Sequence, residues 1–139
     1  MNNKTSTKGQ CLCKAVTITT SSMGHDISAC HCRMCQTWGG GPLLVVECNE
    51  EITIGGNDSV ETYHSSEWAE RGFCNQCGTH LFYRLKQQNQ YFIPIGLFNS
   101  HETVAFTTEV FIEEKPSYYS FSETTEKLTG EELFKLYSS

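Results

Sequence analysis

The chain has 139 residues, with 16 Asp and Glu against 10 Lys and Arg and eight cysteines, enough for one domain with its own core yet small enough for a bound metal to add materially to stability. A net charge of −6 without any run of Lys or Arg argues against a nucleic-acid partner, and apolar runs such as Pro42 to Val46 are far too short to span a bilayer. The polar segment Met1 to Gln10 carries no secretory pattern, so the expected location is a reducing cytoplasm, where clustered cysteines point to metal rather than to disulfides.

Cys11-Leu12-Cys13 leads into Ala15 to Thr20, whose apolar and polar side chains alternate as in a half-buried strand. Ser21 to Asp26, with Gly24, reads as a turn, after which Ile27 and Ala29 run into Cys30-His31-Cys32-Arg33-Met34-Cys35. Gln36 to Gly41, with three consecutive glycines, extends that segment as a loop. Leu43 to Val46 reads as a strand buried on both faces, ending at Glu47-Cys48. A turn is expected at Asn49 to Glu51, a short strand at Ile52 to Ile54, a turn at Gly55 to Asp58 and a strand at Val60 to His64, joined as hairpins.

Ser65 to Gly72 reads as a polar loop carrying Trp68 and Arg71, delivering the chain to Cys74-Asn75-Gln76-Cys77-Gly78. His80 to Leu85 and Tyr91 to Leu97 form a strand pair, with Pro94 placing the second near a sheet edge. Asn99 to Glu102 read as a turn, Val104 to Phe106 and Val110 to Ile112 as two short strands, and Glu113 to Ser117 as a charged loop. Helix evidence is confined to Gly130 to Tyr137, where Thr129 and Glu132 make a capping box before Leu133, Phe134 and Leu136. The expected class is mainly β, a single domain over 1–139.

The cysteines sort into two groups. Cys-x-x-Cys-Gly at Cys74 and Cys77 is a metal knuckle, its Gly supplying the positive φ of the tight turn. Cys11 and Cys13 provide the second pair that a closed tetrahedral zinc requires, tying the first strand to the middle of the chain. Cys30, Cys32 and Cys35 are too close together to pair as disulfides but suit three corners of a zinc tetrahedron, leaving one position open. A fourth protein ligand from Cys48, His31, His80 or His101 would instead make this site structural. Cys48, at a strand end, reads as a buried thiol, and His31, between two ligands, is expected to turn its ring away. Trp38 reads equally as core or as pocket wall.

Gly9-Gln10-Cys11-Leu12-Cys13-Lys14-Ala15-Val16, the triple-cysteine segment and Phe73-Cys74-x-x-Cys77-Gly78-Thr79-x-Leu81 together resemble the glutathione-dependent formaldehyde-activating enzyme family, also known through the centromere protein V-like domain, from about Gly9 to about Tyr119. The resemblance implies several coiled antiparallel sheets around a structural zinc on Cys11, Cys13, Cys74 and Cys77, and a catalytic zinc on Cys30, Cys32 and Cys35, two Zn²⁺ per chain. It implies carbon–sulfur lyase chemistry on a small thiol, with the joining of glutathione to formaldehyde as the founding activity. Two positions depart from the family pattern: Glu109-Val110-Phe111 has an acid where a His commonly opens the last strand, and the Gly-x-Leu-Asp segment is Gly96-Leu97-Phe98-Asn99.

Zinc lowers the pKa of a thiol it binds, which suits the making and breaking of a thiohemiacetal, and three thiolates favour thiol exchange over hydrolysis. Backbone N–H groups of Gln36 to Gly41, with Arg33, Lys14 or Arg71, are the candidates to meet substrate carboxylates. The alternative is a zinc-stabilised binding module without turnover, distinguished by a fourth protein ligand on the second zinc. A methionine sulfoxide reductase needs a redox cysteine outside the metal groups, usually late in the chain, and no cysteine follows Cys77.

Overall fold

A computed structural model describes residues 7–21, 23–48, 52–98 and 104–137. Among the described residues, eleven strands and two α-helices follow one another as β1 (Thr7–Gln10), β2 (Thr17–Thr20), β3 (Met23–Cys30), α1 (Arg33–Gly39), β4 (Leu43–Cys48), β5 (Ile52–Gly55), β6 (Val60–Tyr63), β7 (Ala69–Cys74), β8 (His80–Leu85), β9 (Gln90–Pro94), β10 (Ala105–Val110), β11 (Glu126–Leu128) and α2 (Gly130–Tyr137). The mainly β class holds. The strands form a three-stranded sheet β1-β2-β5 and an eight-stranded sheet β11-β10-β3-β4-β9-β8-β7-β6. β10 runs parallel to both β3 and β11, and the remaining pairs are antiparallel.

One apolar cluster joins the two sheets, bringing Ile18 of the smaller sheet and Val16 just before β2 against Val46, Leu81 and Ile93 of the larger, with Cys11, Cys48 and Cys74 among them. Cys48 is fully buried, in keeping with a packing thiol. Burying these side chains is the main favourable term holding the sheets together.

Several local expectations are corrected. The turn read over Ser21 to Asp26 belongs from Met23 onward to β3, an interior strand. Its pairing with β4 shifts between Met23 and Ile27, so Gly24, His25 and Asp26 sit in an irregularity of the ladder rather than at a chain reversal. The strands around Gly55 to Asp58 do not form a hairpin: β5 pairs with β2 and β6 with β7, in different sheets. Leu43 and Leu44 are only partly buried and Glu47 is exposed, so β4 is not buried on both faces.

The polar loop ends at Trp68, because Ala69 to Cys74 forms β7 between β6 and β8. Pro94 does not mark an edge. Its strand β9 lies between β4 and β8, and Pro94 is tolerated as the last residue, opposite Val45. The two short strands expected around residue 107 are one, β10, with a register shift between Phe106 and Thr108. The turns expected at Asn49 to Glu51 and Asn99 to Glu102, and His101, lie outside the described residues.

α2 matches its expected bounds, and its box closes in both directions: Glu132 N–H donates to Thr129 Oγ1 at 3.1 Å and Thr129 N–H to Glu132 Oε1 at 2.8 Å. The helix lies against the larger sheet through ring contacts of Phe134 with Trp68 and Phe111, and of Tyr137 with Phe92.

Candidate metal centres and active site

Cys11 and Cys13 sit in the turn after β1, Cys74 ends β7 and Cys77 lies in the turn that leads to β8. Their four sulfurs lie within 4.8 Å of one another. The Cys11–Cys13 and Cys13–Cys74 sulfur pairs are each 3.7 Å apart, close to the edge of about 3.8 Å that a tetrahedron with Zn–S bonds of about 2.3 Å requires. Backbone N–H groups of Val16 and Gln76 donate to the sulfurs of Cys11 and Cys74 at 3.3 and 3.4 Å. Gly78 takes φ +78 and donates its N–H to the Cys74 carbonyl at 2.8 Å, closing the knuckle. Hydrogen bonds from the Thr79 hydroxyl and N–H hold the Cys77 thiol down to about 5, ready to act as a thiolate ligand. Geometry and donor set both fit zinc.

The second group lies at the junction of β3 and α1. Cys30 ends the strand, Cys32 caps the helix by accepting the Cys35 N–H at 3.3 Å, and Cys35 sits in the first turn. The three sulfurs lie within 4.8 Å of one another, and among the described residues no further His, Cys, Asp or Glu ligand atom joins them. Donation by the Cys30 and Cys35 thiols pulls Cys32 down to about 2, with the Cys35 N–H and Arg71 adding to the effect. Cys30 is correspondingly held well above its ordinary value by its bond to Cys32. A trio sharing its protons in this way gives them up when a divalent ion arrives, and three thiolates are a donor set that zinc accepts.

α1 is a helix where the sequence pattern predicts a loop. It ends at Gly40, which takes φ 85 and returns its N–H to the Gln36 carbonyl. Its first turn is held by Glu114, whose carboxylate accepts the Arg33 N–H at 2.8 Å, and by the Gln36 side-chain amide, which donates to the carbonyls of His31 and Glu114. The N–H groups of Gln36 and Gly40 are spent inside the helix, so the expectation that this segment offers its backbone to a substrate fails there.

Arg71, only 2% exposed on β7, points its guanidinium at the trio, both terminal nitrogens lying 3.6 Å from the Cys35 sulfur. The same group stacks over the Tyr83 ring at 4.9 Å and the Trp38 ring at 5.9 Å. A buried cation here offsets the negative charge that three thiolates retain around a divalent ion. Of the three cations considered from sequence, Arg71 and Arg33 line the cleft at the trio and Lys14 does not.

That cleft, of about 1180 Å³, opens onto Cys30, Cys32 and Cys35. Its walls come from β3, β4, β8, β9 and α2 and include Tyr83, Phe92, Phe111 and Phe134. Trp38 stands outside it, packed on Phe73, His80 and Tyr63 in a separate aromatic recess. His80 therefore serves packing, and burial followed by the nearby Arg71 charge lowers its pKa.

The His31 ring, itself fully buried, turns away from the trio, as expected, into a network of hydrogen bonds. Its Nε2 lies 2.8 Å from Glu109 Oε1 and its Nδ1 2.7 Å from the Tyr119 hydroxyl. A carboxylate only accepts, so Nε2 carries the hydrogen and, in the neutral ring, Nδ1 accepts from Tyr119. Thr125 donates to Glu109 Oε2 at 2.6 Å and Lys127 lies 3.7 Å from it. Although burial raises the pKa of Glu109, these bonds and charges win and lower it. The acid at the departure from the family pattern is thus the partner of the histidine between two cysteines of the trio, a pairing across 78 residues of sequence that no local motif announces.

Fold and site together define a mainly β domain built around two clustered-thiol sites able to hold metal ions. The chain belongs to the glutathione-dependent formaldehyde-activating enzyme family, whose model matches residues 6–114. It is 36% identical over 129 residues to an uncharacterized lyase of Schizosaccharomyces pombe, covering 92% of this chain and 94% of that one. A crystal structure of a Rhodobacter sphaeroides protein superposes with a TM-score of 0.56 at 20% identity, covering 67% of this chain and 88% of the other, a likeness of fold alone.

Proposed function

We propose that the protein is a zinc-dependent carbon–sulfur lyase acting on the adduct of a thiol with a small carbonyl compound. The family's name supplies glutathione and formaldehyde as the first pair to test. In this reading Cys11, Cys13, Cys74 and Cys77 hold a structural zinc, and Cys30, Cys32 and Cys35 hold the catalytic one. The observation that carries it is a sulfur trio, with no fourth ligand among the described residues, facing a cleft large enough for a substrate. The same opening disfavours a closed, purely structural second site.

Bound there, zinc supplies a lowered thiol pKa, so that a sulfur leaves or attacks as thiolate near neutrality. Cleaving a thiohemiacetal releases a thiolate, a carbonyl compound and the hydroxyl proton. Arg71 lies where it stabilises anionic sulfur, since its guanidinium already faces Cys35 from a buried strand. The capped N-terminus of α1 fixes Cys32 and Cys35 relative to each other. Leu43, Val45, Leu85 and Phe92 give the cleft beside the trio a partly apolar lining.

The test combines a zinc count on freshly reduced protein with NMR observation of C–S exchange in mixtures of thiol and aldehyde. About two zincs per chain, falling to about one in Cys35→Ser with loss of exchange, are expected. One zinc in the unaltered protein, or unchanged exchange in the variant, overturns the assignment.

A further inference from the structure

We infer that Tyr83 is a catalytic residue of the proposed reaction, its phenol O–H donating a hydrogen bond to the substrate oxygen that gains charge as the carbon–sulfur bond forms or breaks. This rests on the reading of the trio as the reaction centre and adds the group that meets the oxygen. In a thiohemiacetal the sulfur and the oxygen share one carbon. A residue that serves the oxygen must therefore stand beside the residues that serve the sulfur.

One face of the larger sheet makes the floor of the cleft. Arg71 is opposite Tyr83 in the β7–β8 ladder, Tyr83 opposite Phe92 in β8–β9 and Phe92 opposite Glu47 in β9–β4, and residues directly opposite share a face. All four line the cleft. Arg71 stands at the trio's end of this row, its terminal nitrogens 3.6 Å from the Cys35 sulfur and its guanidinium carbon 4.9 Å from the centre of the Tyr83 ring. Tyr83 is the next side chain along from the one that touches Cys35.

Among the described residues four side-chain hydroxyls line the cleft: Ser28, Tyr83, Thr108 and Tyr137. Tyr137 donates to Glu47 at 3.1 Å, and the Thr108 hydroxyl lies 3.1 Å from that of Thr107. Tyr83 is met by the Trp68 indole, which can only donate, so the phenol's own hydrogen is left for a ligand. Burial outweighs that bond and the Arg71 charge and pushes the Tyr83 pKa up to about 12, so the phenol holds its proton at neutral pH. Ser28, two residues before Cys30 on the same face of β3, is the rival hydroxyl, but an aliphatic O–H is a weaker acid and a weaker donor to an oxyanion.

When a thiolate attacks a carbonyl carbon, the C–S bond forms and the π pair of the C=O bond moves onto oxygen, which then takes a proton from water. Cleavage reverses these steps, the hydroxyl proton returning to water. Tyr83 keeps its own proton throughout and supplies a donor already aimed at the developing charge.

The experiment compares zinc-loaded protein with Tyr83→Phe and Ser28→Ala. C–S exchange followed by NMR is expected to fall about 100-fold at saturating substrate in Tyr83→Phe, with the KM for thiol, the zinc count and the melting profile unchanged. Binding supplies a second readout by titration calorimetry of S-methylglutathione and of S-hydroxymethylglutathione, the latter kept formed by excess formaldehyde. The unaltered protein is expected to prefer the hydroxymethyl compound about five- to tenfold, and Tyr83→Phe to lose that preference without weaker binding of the methyl compound. A preference that survives Tyr83→Phe, or one that Ser28→Ala removes instead, overturns the inference while leaving the trio's role intact. Absence of C–S exchange in the unaltered protein overturns both.

Discussion

Arg71 points a buried guanidinium at the sulfur trio from inside a strand, and its value to a metal bound there is measurable apart from the fold. Replacing it by Met keeps much of the stem's packing but leaves the trio's negative charge without its buried cation. Metal affinity at the trio is expected to fall about 10- to 100-fold while the four-cysteine site keeps its ion, as read by competition with a chromogenic chelator. Equal loss at both sites would mean that Arg71 supports the fold rather than the trio. Glu109 makes a second case at this scale. Because its pKa is lowered in the folded protein, its contribution to stability is complete above the ordinary carboxylate range and fades as pH falls through the folded value. Glu109→Gln keeps the shape and loses that slope, whereas Glu109→Ala also strands the buried His31 ring and costs about 1–3 kcal/mol at neutral pH. Urea melts of the three proteins between pH 3 and 7 separate the two effects. Two versions of one residue would thus show whether charge or hydrogen bonding matters there.

Among the elements, legibility followed the kind of signal each carried. α2 was readable because Thr129 and Glu132 satisfy each other's backbone N–H groups locally, and the Cys74–Cys77 knuckle because spacing and Gly78 encode its turn. α1 was not readable: its cap is a cysteine sulfur, its first N–H is taken by Glu114 from 81 residues away, and its seven residues end in glycines. β7 was hidden for a related reason, since Glu70 and Arg71 look like loop residues until Arg84 meets one and the trio meets the other. Cys32→Ser is the substitution that separates helix from site. A serine hydroxyl is a good cap, so α1 is expected to survive with no more than about 1 kcal/mol of change, while the trio loses a ligand. Amide exchange of the α1 N–H groups, beside a zinc count, distinguishes this from collapse of the whole segment.

For the whole molecule the two sheets are held by one apolar cluster and by a four-sulfur group whose members come from both sides. Cys11 and Cys13 follow the outer strand of the small sheet, and Cys74 and Cys77 belong to the far end of the large one. A metal gripping all four closes a chain loop of more than sixty residues, as the 61-residue separation of Cys13 and Cys74 shows, and a link of that span removes much freedom from the unfolded chain. The trio, by contrast, gathers ligands from six consecutive residues and restricts little beyond its own turn. Stripping metal should therefore act unequally across the fold. With a strong chelator under reducing conditions, the melting temperature is expected to drop by about 10 °C or more, and amides of β1, β2 and β5 to lose protection before those of β3, β4 and β9. Cys35→Ser, which disables the trio alone, should move the melting temperature only a few degrees. If that variant destabilises as much as full metal removal, the division into one tie for the fold and one centre for chemistry does not hold.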